Sequence, residues 1–479
     1  MKRVLISYIF ILFLSFPLFS AEQTVIKLSD FIEHSVRNNP DIFSVLYKLK
    51  ESDAVELQTQ AIYDVVFNVH YNRLYDKPFT DYSTFKLTDQ TTDNFGGNLK
   101  WVVPYLGTRL KAGIEYNSNN LAINMPPAYG YPSSATFYNP EIFIEVQQPL
   151  LRNWLGVLDR FPITQSKLNK LVMAETVDDA IQTIMIDLYN MYFEWLHLYG
   201  QYNSFTSSVA NSNGLLHQTN QRFQMGLSDR SDISKIRIMN LEYMKSRDLA
   251  SARFDVMSRK IYKWQTGRDI KGDLKIIPEN SPIIKTDSKM GLDIESVRRM
   301  KILRLSRELL AEQLKKDKNE IMPELNFSLN YKLRNYNQSA DKSFDSFNYQ
   351  NYTMGLNFTQ PLGAVYSRGK IREVEAKLKK WDADAKSFER NYTQSYYELV
   401  KISDIYKKVL DYDRLLIEQS RIQHSEEEKK YFQGRADLYF VVQYRNSLLA
   451  FELLYLRDTI EAKKTEIQLL GLLDKIYRR

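Results

Sequence analysis

Two stretches in the second half of the sequence alternate strictly between apolar and polar residues. Every second position is apolar from Leu325 to Leu333 and again from Tyr352 to Phe358. A period of two residues is that of a β-strand with one apolar face. Runs of about 9 to 10 residues also match a tilted strand that crosses a bilayer. We therefore predict two strands of a transmembrane β-barrel, joined by a polar loop over residues 335–350.

The first half carries the same pattern with an insertion. Apolar residues alternate from Val65 to Tyr71 and from Ile142 to Val146. Between them, residues 99–103 and 109–116 alternate around a turn at Pro104–Gly107, which predicts one more hairpin. Residues 117–140 are rich in Pro, Tyr and Asn and are interpreted as a loop. One chain therefore offers four to six strands, depending on whether the additional hairpin joins the wall.

This number of strands is too small to close a barrel. About eight strands is the smallest transmembrane barrel, and an open sheet edge in lipid costs several kcal/mol for each unpaired backbone group. The chain is therefore expected to share a barrel with copies of itself, and three copies would give 12 or 18 strands. A soluble β-sandwich with one buried face shows the same alternation and is the alternative.

Long helical seams accompany the strands. Apolar residues recur at spacings of three and four from Val177 to Tyr199 and from Val374 to Val409, which is typical of coiled coils. Residues 163–224 and 369–432 are predicted as single helices about 93 and 96 Å long. Residues 28–61 with 437–473, and 230–266 with 292–321, are predicted as pairs of shorter helices of similar summed length. A bundle of this length is expected to reach across a compartment.

The order of these elements repeats, which indicates an internal duplication. Pro149 precedes Gly226 by 77 positions, and Pro361 precedes Gly434 by 73. The first repeat is assigned to residues 22–270, with two to four strands at about 64–148 and a helical hairpin at 160–266. A linker, or equatorial segment, follows at 271–290. The second repeat covers 291–479, with strands at about 323–360 and a hairpin at 367–474.

The first 21 residues are predicted to be a secretory signal peptide, with a basic start and an apolar stretch from Val4 to Phe19. An uncleaved anchor helix is the alternative, since about 18 apolar residues nearly span a bilayer. The sequence has no Cys, which excludes thiolate metal sites, disulfides and a lipid anchor on an N-terminal cysteine. No later stretch is apolar enough for a transmembrane helix, so any second membrane contact must use strands. The net charge of +7 is spread along helices with both signs interleaved, which argues against nucleic acid as a partner.

Several local motifs occur in this order along both halves. They are Leu28–Pro40 at the opening helix, the joints Gln148-Pro149-Leu150 and Gln360-Pro361-Leu362, and the turns 222–229 and 431–437. Taken together, the ordered set resembles the TolC-like outer-membrane efflux proteins over essentially the whole mature chain.

The resemblance implies an α+β membrane protein, in which a long antiparallel α-helical coiled-coil barrel joins a transmembrane β-barrel shared between protomers of a homotrimer. It implies a place in the outer membrane of a Gram-negative-type bacterium, in contact with its lipid and extending into the periplasm. The function implied is an exit duct of a multicomponent efflux or type I secretion system. A periplasmic adaptor (membrane fusion) protein and an inner-membrane transporter are the implied partners.

The two turns between long helices are the candidate periplasmic ends. Gly226 and Gly434 suit a reversal of the chain, because glycine adopts positive φ at little cost. Asp229, Asp232 and Asp437 stand where a returning helix needs a cap. The alternative is that Asp232 belongs to a cation-selective constriction. Where the best-known family member presents two aspartates, this chain has Phe440 and Gln443, which puts an acidic ring in doubt.

The sequence shows no catalytic constellation. The five His residues are far apart and not at metal-ligand spacing, and no phosphate-binding loop or nucleophile motif occurs. We therefore expect no enzyme activity, no cofactor and no metal, and interpret Glu426–Glu428 as a solvated helix face. Two alternatives stay open: a periplasmic coiled-coil scaffold or adaptor protein with a soluble β module, and an exported enzyme.

Overall fold

The structure, a computed structural model, describes residues 24–77, 86–124, 134–269, 276–279 and 291–477. The signal peptide and most of the 271–290 linker lie outside the described residues. The chain divides into two compact units, each assembled from separate segments. Unit 1 consists of the described residues that fall within 1–45, 178–294 and 391–479, and unit 2 of those within 46–177 and 295–390.

Seven α-helices and eight strands are found among the described residues. The helices are α1 (Leu28–Asn38), α2 (Pro40–Gln60), α3 (Val157–Gln224), α4 (Arg230–Thr266), α5 (Arg298–Glu320), α6 (Val365–Phe432) and α7 (Leu438–Leu472). The strands are β1 (Thr24–Ile26), β2 (Val66–Asp76), β3 (Lys86–Val102), β4 (Arg109–Asn124), β5 (Ser134–Pro149), β6 (Ile276–Pro278), β7 (Glu324–Arg334) and β8 (Tyr349–Thr359). None of the described helices has the length and apolar character needed to cross a membrane.

The first predicted helix, 28–61, is in fact two helices. Asn39 is extended, with φ −79° and ψ 117°, because the residue before a proline avoids the helical region. Its side-chain oxygen then accepts a 2.8 Å hydrogen bond from the Asp41 amide and starts α2. The helix predicted at 292–321 also begins later, at Arg298, after a short 3₁₀ turn at Ile294–Ser296.

Unit 2 contains a six-stranded antiparallel sheet, in the order β2-β3-β4-β5-β7-β8 among the described residues. The predicted loop at 117–140 is wrong in part, because residues 117–124 and 134–140 continue β4 and β5. Polar side chains support this extension by bonding across strands. Asn94 donates to Asn117 at 2.6 Å, and Thr92 donates to Asn119 at 2.9 Å.

The two faces of this sheet differ in polarity. Directly paired residues point to the same side of an antiparallel sheet, so each cross-strand row belongs to one face. One row of the apolar face is Phe67, Leu99, Ala112, Ile144, Tyr331 and Tyr352. The neighbouring row on the polar face is Val66, Lys100, Lys111, Glu145, Asn330 and Thr353, and it lines a cavity of about 640 Å³.

Unit 1 is held by an aromatic core between α1, α3, α4 and α7. Trp195 and Tyr192 of α3 are fully buried and pack edge to face, with centroids 5.6 Å apart. Both polar atoms are satisfied, since the Trp195 indole donates to Ser258 at 2.7 Å and the Tyr192 hydroxyl donates to the Ile26 carbonyl at 2.8 Å. The latter bond fastens the parallel pair β1–β6 to α3.

A buried carboxyl interrupts the core side of α7. Glu466 is 5% exposed, and its Oε2 has no hydrogen-bond partner among the described residues. Burial raises the pKa of the Glu466 carboxyl to about 7, although Lys407 and Lys463 oppose the shift. The folded state thus favours the protonated form, and this contribution to stability is complete below the ordinary pKa of 4.5 and is lost as the pH rises through about 7.

We predict that Glu466→Gln raises the thermal midpoint of the purified protein at pH 8, with a gain of at most roughly 3 kcal/mol. The gain should shrink towards zero at pH 5, where the native carboxyl is already neutral. Glu461→Gln on the same helix is the control, because that side chain is 43% exposed and pairs with Lys464. An equal gain at both pH values would contradict the assignment.

Candidate functional site at the hairpin ends

The end of the first helical hairpin is built around Gly226. Helix α3 ends at Gln224, and Gly226 has φ +76°. The Leu227 amide donates to the Arg222 carbonyl at 2.8 Å, and the Gly226 amide donates to the Phe223 carbonyl at 3.0 Å. This pair of bonds is the Schellman motif, which satisfies the last carbonyl groups of a helix. Helix α4 then starts at Arg230.

The end of the second hairpin has the same geometry. Gly434 has φ +72°, the Arg435 amide donates to the Lys430 carbonyl at 2.8 Å, and the Gly434 amide donates to the Tyr431 carbonyl at 2.9 Å. A Cβ atom at Gly226 or Gly434 would meet no other atom within 4 Å. Glycine is therefore required at both positions because of the positive φ, and not because a larger side chain would collide with neighbouring atoms.

The three aspartates at these ends have different surroundings. Asp437 caps α7, because its Oδ1 accepts a 2.6 Å hydrogen bond from the Tyr439 amide. Asp229 is the first residue before α4 but makes no capping bond with its side chain. Asp232 accepts a hydrogen bond from the Ser228 hydroxyl at 3.1 Å and pairs with Lys235 at 3.3 Å. Lys235 thus compensates the charge of Asp232, the aspartate that is the candidate for a cation-selective constriction.

Phe440 and Gln443 both lie on the exposed side of the first turns of α7. Phe440 is 44% exposed, and its ring contacts those of Tyr439 and Tyr444. Gln443 follows one turn later and is also exposed. Their role at an aperture stays a prediction.

Arg222 also belongs to this site, although the sequence predicts no role for it. Its Nη1 donates to the Phe432 carbonyl at 2.9 Å, and its guanidinium lies 4.9 Å from the centre of the Tyr431 ring. The side chain therefore ties the end of α3 to the end of α6. An arginine in the last turn of a helix is common for dipole reasons alone, so its position gave no signal of a contact to another hairpin.

The predicted joints lie at the end of the last strand of each set, Pro149 within β5 and Pro361 two residues after β8. Pro149 ends β5, and the next amide, of Leu150, donates to the Leu325 carbonyl at 2.7 Å. The preceding Gln148 donates its side-chain amide to the Pro149 carbonyl at 3.0 Å. Gln360 makes the same bond to the Pro361 carbonyl at 3.3 Å.

Comparison with known proteins gives matches in structure alone. No family model matches the sequence, and no curated protein matches it. The outer membrane protein VceC from Vibrio cholerae has a TM-score of 0.67 at 14% identity, covering 93% of this chain and 96% of VceC. CusC has a TM-score of 0.68 at 11% identity, covering 96% and 95%. The CmeC outer membrane channel of Campylobacter jejuni has a TM-score of 0.67 at 9% identity, covering 94% and 86%.

The chain has the fold of a TolC-like outer-membrane channel. The structural similarity extends over nearly the whole length of this chain and of each matched chain, at sequence identities of 9–14%. At such identities the likeness shows a shared fold, and it does not extend to individual side chains.

Substitution of Asp437, with Asp229 as the matched control, tests whether the capping bond stabilises the start of α7. We predict that Asp437→Ala lowers the thermal midpoint, with a loss of about 1 kcal/mol, because it removes the capping bond to the Tyr439 amide. Asp229→Ala should cost only a few tenths, since no such bond exists there. Hydrogen exchange of the first-turn amides of α7 and α4 is the local readout. Equal losses in both variants would mean that the charge at the helix start matters, and not the bond.

Proposed function

We propose that this protein is the exit duct of a multicomponent efflux or type I secretion system in the outer membrane of a Gram-negative-type bacterium. The observation that carries the proposal is the exposed apolar face of the sheet. Phe67 is 67% exposed, Ile144 49% and Tyr352 68%. A large exposed apolar band, backed by a polar face, fits a sheet with lipid on one side and water on the other.

The sheet edges support closure by copies of the same chain. In the described part of the sheet, β2 and β8 each have a neighbour on one side only. Both edge strands are 11 residues long. The even number of strands makes β8 antiparallel to β2 of a next subunit, as closure of an antiparallel barrel requires. We infer a homotrimer whose subunits share one barrel.

The hairpin ends are the proposed docking points for a periplasmic adaptor protein and, through it, an inner-membrane transporter. Both ends present exposed apolar side chains: Phe223, Met225 and Leu227 at the first, and Tyr439 and Phe440 at the second. Asp232, Phe440 and Gln443 are proposed to line the aperture. The matching turns, together with the matching Gln–Pro joints, support descent of the two halves from one duplicated unit.

A pair of substitutions tests whether the apolar face meets lipid. Ile144→Lys should sharply reduce the amount of heat-stable trimer in outer-membrane fractions, because a lysine facing the bilayer centre costs about 2–4 kcal/mol. Asn330→Lys, on the polar face of the neighbouring strand, should leave the trimer unchanged. In a soluble β module the half-exposed Ile144 would tolerate lysine. Recovery of the unchanged protein and of both variants at equal levels in the soluble periplasmic fraction would therefore refute the duct and favour the periplasmic scaffold.

A further inference from the structure

We propose that all six strands of each subunit stand in the barrel wall, so that the trimer forms an 18-stranded pore for hydrophilic solutes of large cross-section. The inference rests on the proposed function, because it assumes that the sheet crosses the membrane. The strand number depends on where the additional hairpin β3–β4 lies. A hairpin folded outside the wall would leave four strands per subunit and a 12-stranded barrel.

The apolar band passes through the additional hairpin in register. Leu99 of β3 is directly paired with Phe67 of β2, and Ala112 of β4 with Ile144 of β5. Leu99 is 48% exposed, much as Ile144 is. The next row continues in the same way with Ile114 of β4 beside Ile142 of β5. A hairpin outside the wall would have no reason to align its apolar side chains with those of the membrane strands.

The backbone ladders point to the same position. β3 pairs with β2 along all 11 residues from Val66 to Asp76. β4 pairs with β5 from Arg109 to Ala122. A four-stranded wall would place β2 directly beside β5 and would break both ladders. The six-stranded arrangement keeps both ladders, whereas a hairpin outside the wall would leave β3 and β4 each with one unpaired edge.

The number of strands decides the width of the pore. With strands about 4.8 Å apart and tilted by about 40°, a 12-stranded barrel is about 24 Å across between opposite backbones. An 18-stranded barrel is about 36 Å across by the same geometry, in the range of porins with an open aqueous channel. The side chains take up a similar depth in both cases, so most of the added width becomes free lumen.

The inner side of the added hairpin is hydrophilic and carries many amides. One row of the polar face consists of Asn72, Asn94, Asn117 and Asn139. Lys100, Lys111 and Glu115 add charges of both signs on the same face. Amides donate and accept hydrogen bonds without selecting for charge. This lining suits bulky hydrated solutes better than small apolar ones.

Single cysteines test the position of β3, since the natural chain has none. Leu99→Cys and Lys100→Cys are exposed in intact outer membranes to a membrane-impermeant maleimide. We expect labelling of position 100 in the lumen and protection of position 99 by lipid. Ile144→Cys and Glu145→Cys on β5 are the controls, because β5 stands in the wall under either strand number.

The control pair separates the two possible failures. Labelling of both β3 positions, with normal alternation at 144 and 145, would place the hairpin outside the wall and overturn the 18-stranded pore alone. Loss of alternation at 144 and 145 as well would overturn the membrane channel itself. Protection of both β3 positions would mean a hairpin packed away from the lumen, and would also contradict the inference.

A double variant gives a second measurement. Val69→Cys with Ile142→Cys joins positions in one row that three strand spacings separate, about 14 Å in the six-stranded wall. A disulfide needs Cα atoms closer than about 7 Å, so none should form within a subunit. The directly paired Leu99→Cys with Ala112→Cys is the positive control. An intrasubunit bond between positions 69 and 142 would show that β2 adjoins β5.

Discussion

An unpaired β-strand edge cannot be left in hydrocarbon, and most of the interpretation of this chain follows from that constraint. The sheet of unit 2 ends at β2 on one side and at β8 on the other, within the described residues. Its apolar face carries exposed side chains on β2, β3, β4, β5 and β8, which is why we propose lipid against that face and strands of other subunits at its edges. Copies of the same chain can supply such strands, because their own edge strands are available for pairing. The oligomer proposed here is therefore a consequence of backbone hydrogen bonding before any side chain across the interface is considered.

The helical hairpins depend on a second backbone constraint, the need to reverse a long helix in very few residues. Gly226 and Gly434 meet it with nearly equal φ values and equivalent hydrogen bonds. Around this common turn the side chains differ: Asp437 caps the helix that follows, whereas Asp229 leaves its position uncapped. Arg222 joins the two ends through the Phe432 carbonyl. The two turns thus share one backbone geometry while the side chains on them differ, as expected where the turn is structural and the surface is functional.

How far the sequence predicted the structure depends on how local each signal is. The alternation from Leu325 to Leu333 and the glycine turns are local, and the structure has a strand and two helix ends there. The pattern does not predict the extension of β4 beyond Asn117, because its Asn residues have low strand propensity and the strand depends on partners in β3 and β5 that are distant in sequence. The break at Asn39 was a local signal that the helical pattern on either side obscured. The contact of Arg222 with Phe432 joins residues 210 positions apart, which no pattern in one sequence encodes.

The width of the proposed pore depends on the number of strands and on the polarity of both faces of the additional hairpin. Strand number is set by the length of chain inserted between β2 and β5, and the diameter of a barrel grows roughly in proportion to strand number. Because the inserted hairpin carries both the apolar band and an amide-rich inner face, it can enlarge the wall without exposing polar groups to lipid or apolar groups to the lumen. A hairpin with only one of these two faces could not be added to the wall at all. In the proposed trimer the additional hairpin would therefore change what can pass through the barrel while leaving the helical hairpins, and the partners proposed for their ends, as they were.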